Sequence, residues 1–121
     1  MRIHSVLVAA ALLASAGTVA AHPRLVSANP AAKSTVASPT HIDLRFSERL
    51  MPAFSKANVT MVAMPGMAAM KIASSARLGA DGKTLMVRPS KRLPHGHYLI
   101  DWHVVSVDTH KVSGNYMFAV R

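Results

Sequence analysis

Hydrophobic and polar residues alternate along much of the chain after residue 40. Ile42, Leu44 and Phe46 are apolar and the two residues between them are charged, which is the period of a strand with one buried face. Residues 97–105 repeat this pattern with aromatic and branched side chains at every second position. Similar, shorter stretches predict further strands at 24–28, 56–62, 76–78, 84–88 and 112–120.

Turn signals separate these strands. Residues 29–34 contain Asn, Pro and Ser, Asp81-Gly82 is a pair favoured in hairpins, and prolines bound residues 89–94. No convincing helix is evident. About seven short strands with regular turns predict one all-β domain, a Greek-key barrel or sandwich of Ig-like type.

The first 21 residues differ from the rest. Residues 1–4 form a short, positively charged segment, residues 5–16 form an apolar run, and residues 19–21 have small side chains. This order is typical of a secretory signal peptide, and the apolar run is shorter than the roughly 20 residues of a spanning helix. We expect cleavage after Ala21, leaving an exported domain of residues 22–121.

The composition narrows the functions. The chain has no cysteine, so an exported domain gains no disulfide and any metal must bind to nitrogen, oxygen or thioether ligands. The formal net charge is +9 at pH 7, but the basic residues are spread along the sequence. Aromatic residues make up only 5% of the chain, too few to suggest base stacking. We expect a monomer that binds no nucleic acid.

Cleavage after Ala21 would create an N-terminal histidine. The α-amine and ring Nδ1 of His22 can chelate one metal, and Pro23 has no backbone N–H for that metal to displace. The remaining ligands must come from elsewhere. Asp108 and His110 are two residues apart, so an extended chain would project the carboxylate and the imidazole from one face. An amine, two imidazoles and a carboxylate favour Cu(II).

Methionine recurs in the middle of the chain. Met61, Met64, Met67 and Met70 are spaced by three residues, and Met51 precedes them. Thioether sulfur selects Cu(I), but methionine also fills apolar cores. The spacing alone favours the second interpretation.

Five ordered segments resemble the CopC family of periplasmic copper-resistance or copper-homeostasis carriers. They are His-Pro-Arg-Leu-Val-Ser-Ala-Asn-Pro at 22–30, Phe-Ser-Glu at 46–48, Ala-Met-Pro-Gly-Met at 63–67, Asp-Trp at 101–102 and Val-Ser-Val-Asp-Thr-His at 105–110. The resemblance runs the length of the mature chain and implies a Greek-key β-barrel with an N-terminal Cu(II) site. It implies ligand roles for His22, Asp108 and His110, and a place beside the copper for Glu48 as an outer-shell partner.

The resemblance also changes the interpretation of the methionines. Some family members bind Cu(I) in a methionine-rich loop, which makes Met64, Met67 and Met70 the favoured candidates ahead of Met61. Those members carry a histidine shortly after the third methionine, where this chain has Ala69. Cu(I) binding and core packing therefore remain two alternative roles for these methionines.

The chain is thus expected to be a periplasmic carrier that buffers or delivers copper and is not an enzyme. The resemblance implies a CopD-like inner-membrane copper transporter as partner. One alternative is a histidine-brace copper oxidase or monooxygenase, but Asp108 would occupy a coordination position that oxygen needs, and aromatic residues that hold a polysaccharide are scarce. The other is a metal-free interaction module.

Overall fold

The computed structural model describes residues 22–121, and the predicted signal peptide at 1–21 lies outside them. The described chain forms strands and one 3₁₀ turn at Pro52–Phe54. The strands are β1 Leu25–Asn29, β2 Thr35–Val36, β3 Ile42–Phe46, β4 Lys56–Met61, β5 Met70–Ile72, β6 Ser74–Leu78, β7 Thr84–Pro89, β8 Gly96–Val105 and β9 Lys111–Val120. Within residues 22–121, no helix has the length and apolar character needed to cross a membrane.

The strands form two sheets. The first has the order β1-β3-β7-β6 and the second the order β2-β9-β8-β4-β5. Neighbouring strands are antiparallel except for β2, which runs parallel to β9. The all-β prediction is confirmed, and the two separate sheets make the domain a sandwich rather than a closed barrel.

The alternation seen in the sequence supplies the core between the sheets. Tyr98 and Ile100 on β8, and Ile42 and Leu44 on β3, are each 0% exposed. Burying a side chain of this size stabilises the fold by about 1.5–3 kcal/mol. Because the intervening residues of these strands are more exposed, the pattern also fixes which face of each sheet meets solvent.

Gly114 allows β9 to pass close to the indole of Trp102. Strand β9 is continuous through this glycine and places it opposite Trp102. A Cβ atom at position 114 would lie 2.4 Å from Cζ2 of Trp102. The glycine is therefore a packing requirement of the core.

All seven predicted strands are present, with ends shifted by at most two residues. The sequence did not predict β2 and β5, which contain two and three residues. Segments this short do not complete an alternating pattern, and their pairing with β9 and β4 defines them instead.

The two ends of the sandwich carry different loops. We call residues 22–24, 46–51 and 106–110 the histidine end, and residues 62–70 and 89–97 the methionine end. Strand β8 runs from one end to the other and contains ten residues. At about 3.3 Å per residue, it separates the two ends by about 30 Å.

Candidate metal centre

The chain before β1 is held against the segment that follows β3. The backbone N–H of Arg24 donates to Oγ of Ser47 at 2.9 Å, and the N–H of Ser47 donates to the carbonyl of Arg24 at 2.8 Å. Pro23 is fully buried, whereas His22 is exposed. The buried proline therefore fixes the point at which the histidine emerges from the fold.

A turn, rather than an extended strand, brings Asp108 and His110 together. The N–H of Thr109 donates to the carbonyl of Ser106 at 2.8 Å. Thr109 has a φ of 72°, which is uncommon for a β-branched residue. The expected extended geometry is wrong, but Oδ2 of Asp108 still lies 3.1 Å from Nδ1 of His110.

Ser106 organises this turn from inside the protein. Its side chain is 0% exposed, and its hydroxyl donates to the carboxylate of Asp108 and accepts the backbone N–H of His110 at 3.2 Å. The hydrogen bond from Ser106 lowers the pKa of the Asp108 carboxyl below its ordinary value. The ionised form is the one that binds a metal. Sequence reasoning missed Ser106, although serine is a common local turn former.

The rings of His22 and His110 meet across distant segments of the chain. Their centroids are 4.8 Å apart and their planes are inclined by 52°. Nδ1 of His110 is buried, and the Asp108 carboxylate 3.1 Å away is not aligned with it for a hydrogen bond. A buried polar atom without a partner is unfavourable, so this nitrogen suits a ligand that coordination would satisfy.

Residues 46–51 connect the two parts of the histidine end. Val107 donates its N–H to the carbonyl of Arg49 at 2.9 Å, and Leu50 forms a bridge with Ser106. Glu48 lies in this segment, half-buried. Among residues 22–121 the ion pairs do not include it, so its role beside a metal stays a prediction.

In the described chain, no group of three His, Asp or Glu side chains is arranged to hold a metal ion. The predicted site does not consist of side chains alone, because one of its donors is the α-amine of His22. In the uncut chain that nitrogen forms the peptide bond with Ala21. Pairwise contacts of His110 with His22 and with Asp108 bring the three predicted side-chain ligands to one end, but they are not arranged around one point. The α-amine would become available only after cleavage.

The methionine candidates divide into three environments. Met64 and Met67 exchange backbone hydrogen bonds of 2.9 and 2.8 Å in a small turn, and Met67 and Met70 are each 45% exposed. Met61 is 5% exposed and belongs to the core. The backbone N–H of Met51 donates to the carbonyl of Val105, the last residue of β8. Met51 therefore lies at the histidine end, away from the other four methionines.

The fold and the site define a small β-sandwich domain with a candidate metal centre at one end and exposed methionines at the other. The CopC domain family matches residues 25–121. The chain belongs to the CopC family, and the resemblance seen in the sequence is confirmed.

Relatives cover nearly the whole chain. Copper resistance protein C of Xanthomonas campestris pv. juglandis is 47% identical over 119 residues, covering 97% of this chain and 93% of that protein. Among solved structures, PcoC, a methionine-rich copper resistance protein from Escherichia coli, matches with a TM-score of 0.77 and 46% identity, covering 84% of this chain and 100% of that chain. CopC from Methylosinus trichosporium OB3b matches with a TM-score of 0.69 and 32% identity, covering 82% and 93% of the two chains.

Proposed function

We propose that the processed chain is a periplasmic copper carrier that holds Cu(II) at its new N-terminus. His22 supplies its α-amine and a ring nitrogen, His110 supplies a second imidazole, and Asp108 supplies a carboxylate oxygen. The observation that carries this proposal is the 4.8 Å approach of the two histidine rings. The relatives are copper resistance proteins, which supports copper as the metal.

The donor set agrees with this choice of metal. Nitrogen and oxygen ligands in a tetragonal plane suit Cu(II). Pro23 restricts the bound ion to the amine and the ring, because it offers no amide proton for the metal to displace. The amine and imidazoles must be unprotonated to bind, so binding releases protons and weakens in acid.

Export and delivery belong to the same proposal. A signal peptide at residues 1–21 would send the chain to the periplasm, and cleavage after Ala21 would free the chelating amine. Membership of the CopC family suggests a CopD-like inner-membrane transporter as the recipient of copper. We propose binding rather than catalysis, because the Asp108 carboxylate would fill a position that a copper oxidase leaves for oxygen.

The Cu(II) proposal is tested by altering the amine and the ring separately. His22→Ala removes the ring, and one additional residue before His22 converts the amine into an amide. We expect each change to weaken Cu(II) binding at least about tenfold in a competition titration. His97→Ala is the matched control, because its side chain is exposed and it lies at the methionine end of β8.

Unchanged affinity in both altered proteins would refute the N-terminal site. Intact mass spectrometry of the exported protein, with and without Cu(II), reads the cleavage point and the copper stoichiometry together. Reductant-dependent peroxide formation by the copper-loaded protein would favour the oxidase instead.

We also propose that the methionine end binds Cu(I). The supporting observation is the exposure of Met67 and Met70 beside the turn that contains Met64. Leucine at these three positions keeps the apolar volume without the sulfur, and should weaken Cu(I) binding in the presence of ascorbate while leaving Cu(II) binding unchanged. Met51→Leu is the control, since this residue lies at the histidine end. Equal Cu(I) affinity in all variants would contradict this second site.

A further inference from the structure

The lysines and arginines of the described chain lack acidic partners. Three ion-pair contacts occur within residues 22–121, and each joins a histidine to an aspartate. Without Arg2, which lies in residues 1–21, the formal charge of +9 for the whole chain becomes +8 for residues 22–121. The ion pairs of these residues do not neutralise that charge, so its field extends from the surface. A place where several cations lie together should attract anions.

Such a place lies on the outer side of the first sheet, next to the methionine end. A cleft of about 260 Å³ over β6 and β7 is lined by His41, Arg77 and Arg88. A second cleft of about 440 Å³ also contains Arg88 and continues to Lys91 and Arg92. The two clefts adjoin at Arg88, and we call them together the basic cleft.

Acidic residues are nearly absent from its surroundings. Of the five acidic residues in the chain, Asp43 alone lies on β3 next to β7, and its Oδ2 is 3.4 Å from Nε2 of His41. The other four, which are Glu48, Asp81, Asp101 and Asp108, lie at the histidine end, in the β6–β7 hairpin or on the second sheet. Asp43 is therefore the one carboxylate beside the cleft, and its ion-pair contact is with His41 rather than with a guanidinium group.

The shape of the basic cleft favours a polypeptide over a flat bilayer. Its walls are concave, Met86 and Ala76 contribute apolar surface, and Ser75 and Thr40 place hydroxyls beside the cations. Strand β6 is the outermost strand of its sheet, so an extended chain can lie along it. Carboxylates of that chain can bind the arginine guanidinium groups through paired hydrogen bonds. The methylene groups of the same acidic side chains can pack on the apolar surface.

We propose that the basic cleft docks an extended acidic segment of a partner protein. The proposal rests on charge and shape alone and does not require the Cu(II) site, which lies at the opposite end of the sandwich. A partner bound there would leave His22 and His110 uncovered. It would also reach the 89–97 loop of the methionine end, which supplies Lys91 and Arg92 to the cleft.

The test uses a fluorescein-labelled peptide of alternating glutamate and alanine, with binding measured by fluorescence anisotropy. The cleft variant carries Arg77→Gln, Arg88→Gln and Arg92→Gln together. The matched control removes the same charge outside the cleft, through Lys33→Gln, Lys56→Gln and Lys83→Gln. We expect about tenfold weaker binding for the cleft variant and less than about threefold for the control. Added salt should weaken the wild-type complex.

Several results would overturn the proposal. They are equal weakening in the two triple variants, no binding of the acidic peptide, and cleft-dependent binding of phosphatidylglycerol vesicles without binding of the peptide. Arg88→Gln alone provides a second test, because this exposed side chain lines both clefts and its loss should not unfold the domain. The cleft variant should titrate with Cu(II) as the wild type does, which separates a failure of docking from a failure of the copper site.

Discussion

Replacing Ser106 with alanine removes the hydroxyl that positions the two candidate ligands beyond β8. This buried hydroxyl donates to the Asp108 carboxylate and accepts the His110 N–H at 3.2 Å. Alanine leaves both groups without that partner. A hydrogen bond to a charged group contributes about 1.5–3 kcal/mol, and a neutral one about 0.5–1.5 kcal/mol. Since the Asp108 side chain is 49% exposed, water replaces part of the loss, and we expect a destabilisation of about 1–2 kcal/mol.

The effect on copper should be larger than the effect on stability suggests. Without the hydroxyl, the Asp108 carboxylate is free to turn away from His110, so the metal must first order it. Groups that orient metal ligands typically change affinity by about 10- to 100-fold, and we expect about a tenfold loss for Cu(II). Urea unfolding of the metal-free protein and a chelator competition titration measure the two effects separately.

Ser113→Ala is the matched control for this experiment. Its hydroxyl contacts Nδ1 of His103 at 2.8 Å on the exposed face of the second sheet, so its removal should change stability by less than about 0.5 kcal/mol and leave copper binding intact. Wild-type stability and affinity in Ser106→Ala would show that the backbone bonds of the turn suffice and would refute the positioning role. A loss of stability with unchanged copper affinity would show that the Ser106 hydroxyl stabilises the turn but does not position Asp108 for copper.

Two further substitutions test the fold. Gly114→Ala should destabilise the domain by about 1–3 kcal/mol, because the new Cβ would lie 2.4 Å from the Trp102 ring. Thermal unfolding measures this loss. Gly79→Ala is the control and should be close to neutral, because its new Cβ would have its nearest contacts at 3.6 Å. The pKa of Asp81 is lowered from 3.8, chiefly by the Lys83 backbone N–H, so its ionised form stabilises the fold at neutral pH and that stabilisation is lost as pH falls through the lowered pKa. The stability difference between wild type and Asp81→Asn should therefore narrow on acidification in urea titrations, and a pH-independent difference would contradict this reasoning.

The strands that could be predicted are those long enough to show their period. Ile42–Phe46 was predicted with its observed ends, and Gly96–Val105 with one end shifted by a single residue, because each alternates between the core and solvent. Thr35–Val36 contains too few residues for a period, and only its parallel pairing with β9 makes it a strand. That pairing joins residues far apart in the sequence, so local patterns carry no signal for it.

The candidate ligands could be named from the sequence, but their geometry could not. A spacing of two between Asp108 and His110 is compatible with an extended strand and with a tight turn. The turn is selected by Ser106 and by the positive φ of Thr109, and a β-branched residue gives no sign of that conformation in advance. The approach of His22 to His110 depends on tertiary packing, which also buries the adjacent Pro23.

The basic cleft shows the opposite case, in which the sequence was misleading. Its lysines and arginines are spread along the sequence, which had suggested that the positive charge is dispersed over the surface. The antiparallel pairing of β6 with β7 sets Ser75 opposite Arg88 and Arg77 opposite Met86, and the following loop adds Lys91 and Arg92 to the same surface. A charge cluster of this kind exists only in the folded sheet.

The separation of the two ends constrains how such a carrier works. Judged from the length of β8, an ion held by His22 and His110 would lie about 30 Å from the exposed methionines. The intervening core is closed, with Tyr98 and Ile100 of β8 each 0% exposed, so copper has no internal route between the ends. Exchange between a Cu(II) site and a Cu(I) site would therefore require a second molecule or release to solvent. A partner bound in the basic cleft would meet the methionine end and not the histidine end, which predicts that the oxidation state of the copper decides which face of the protein delivers it.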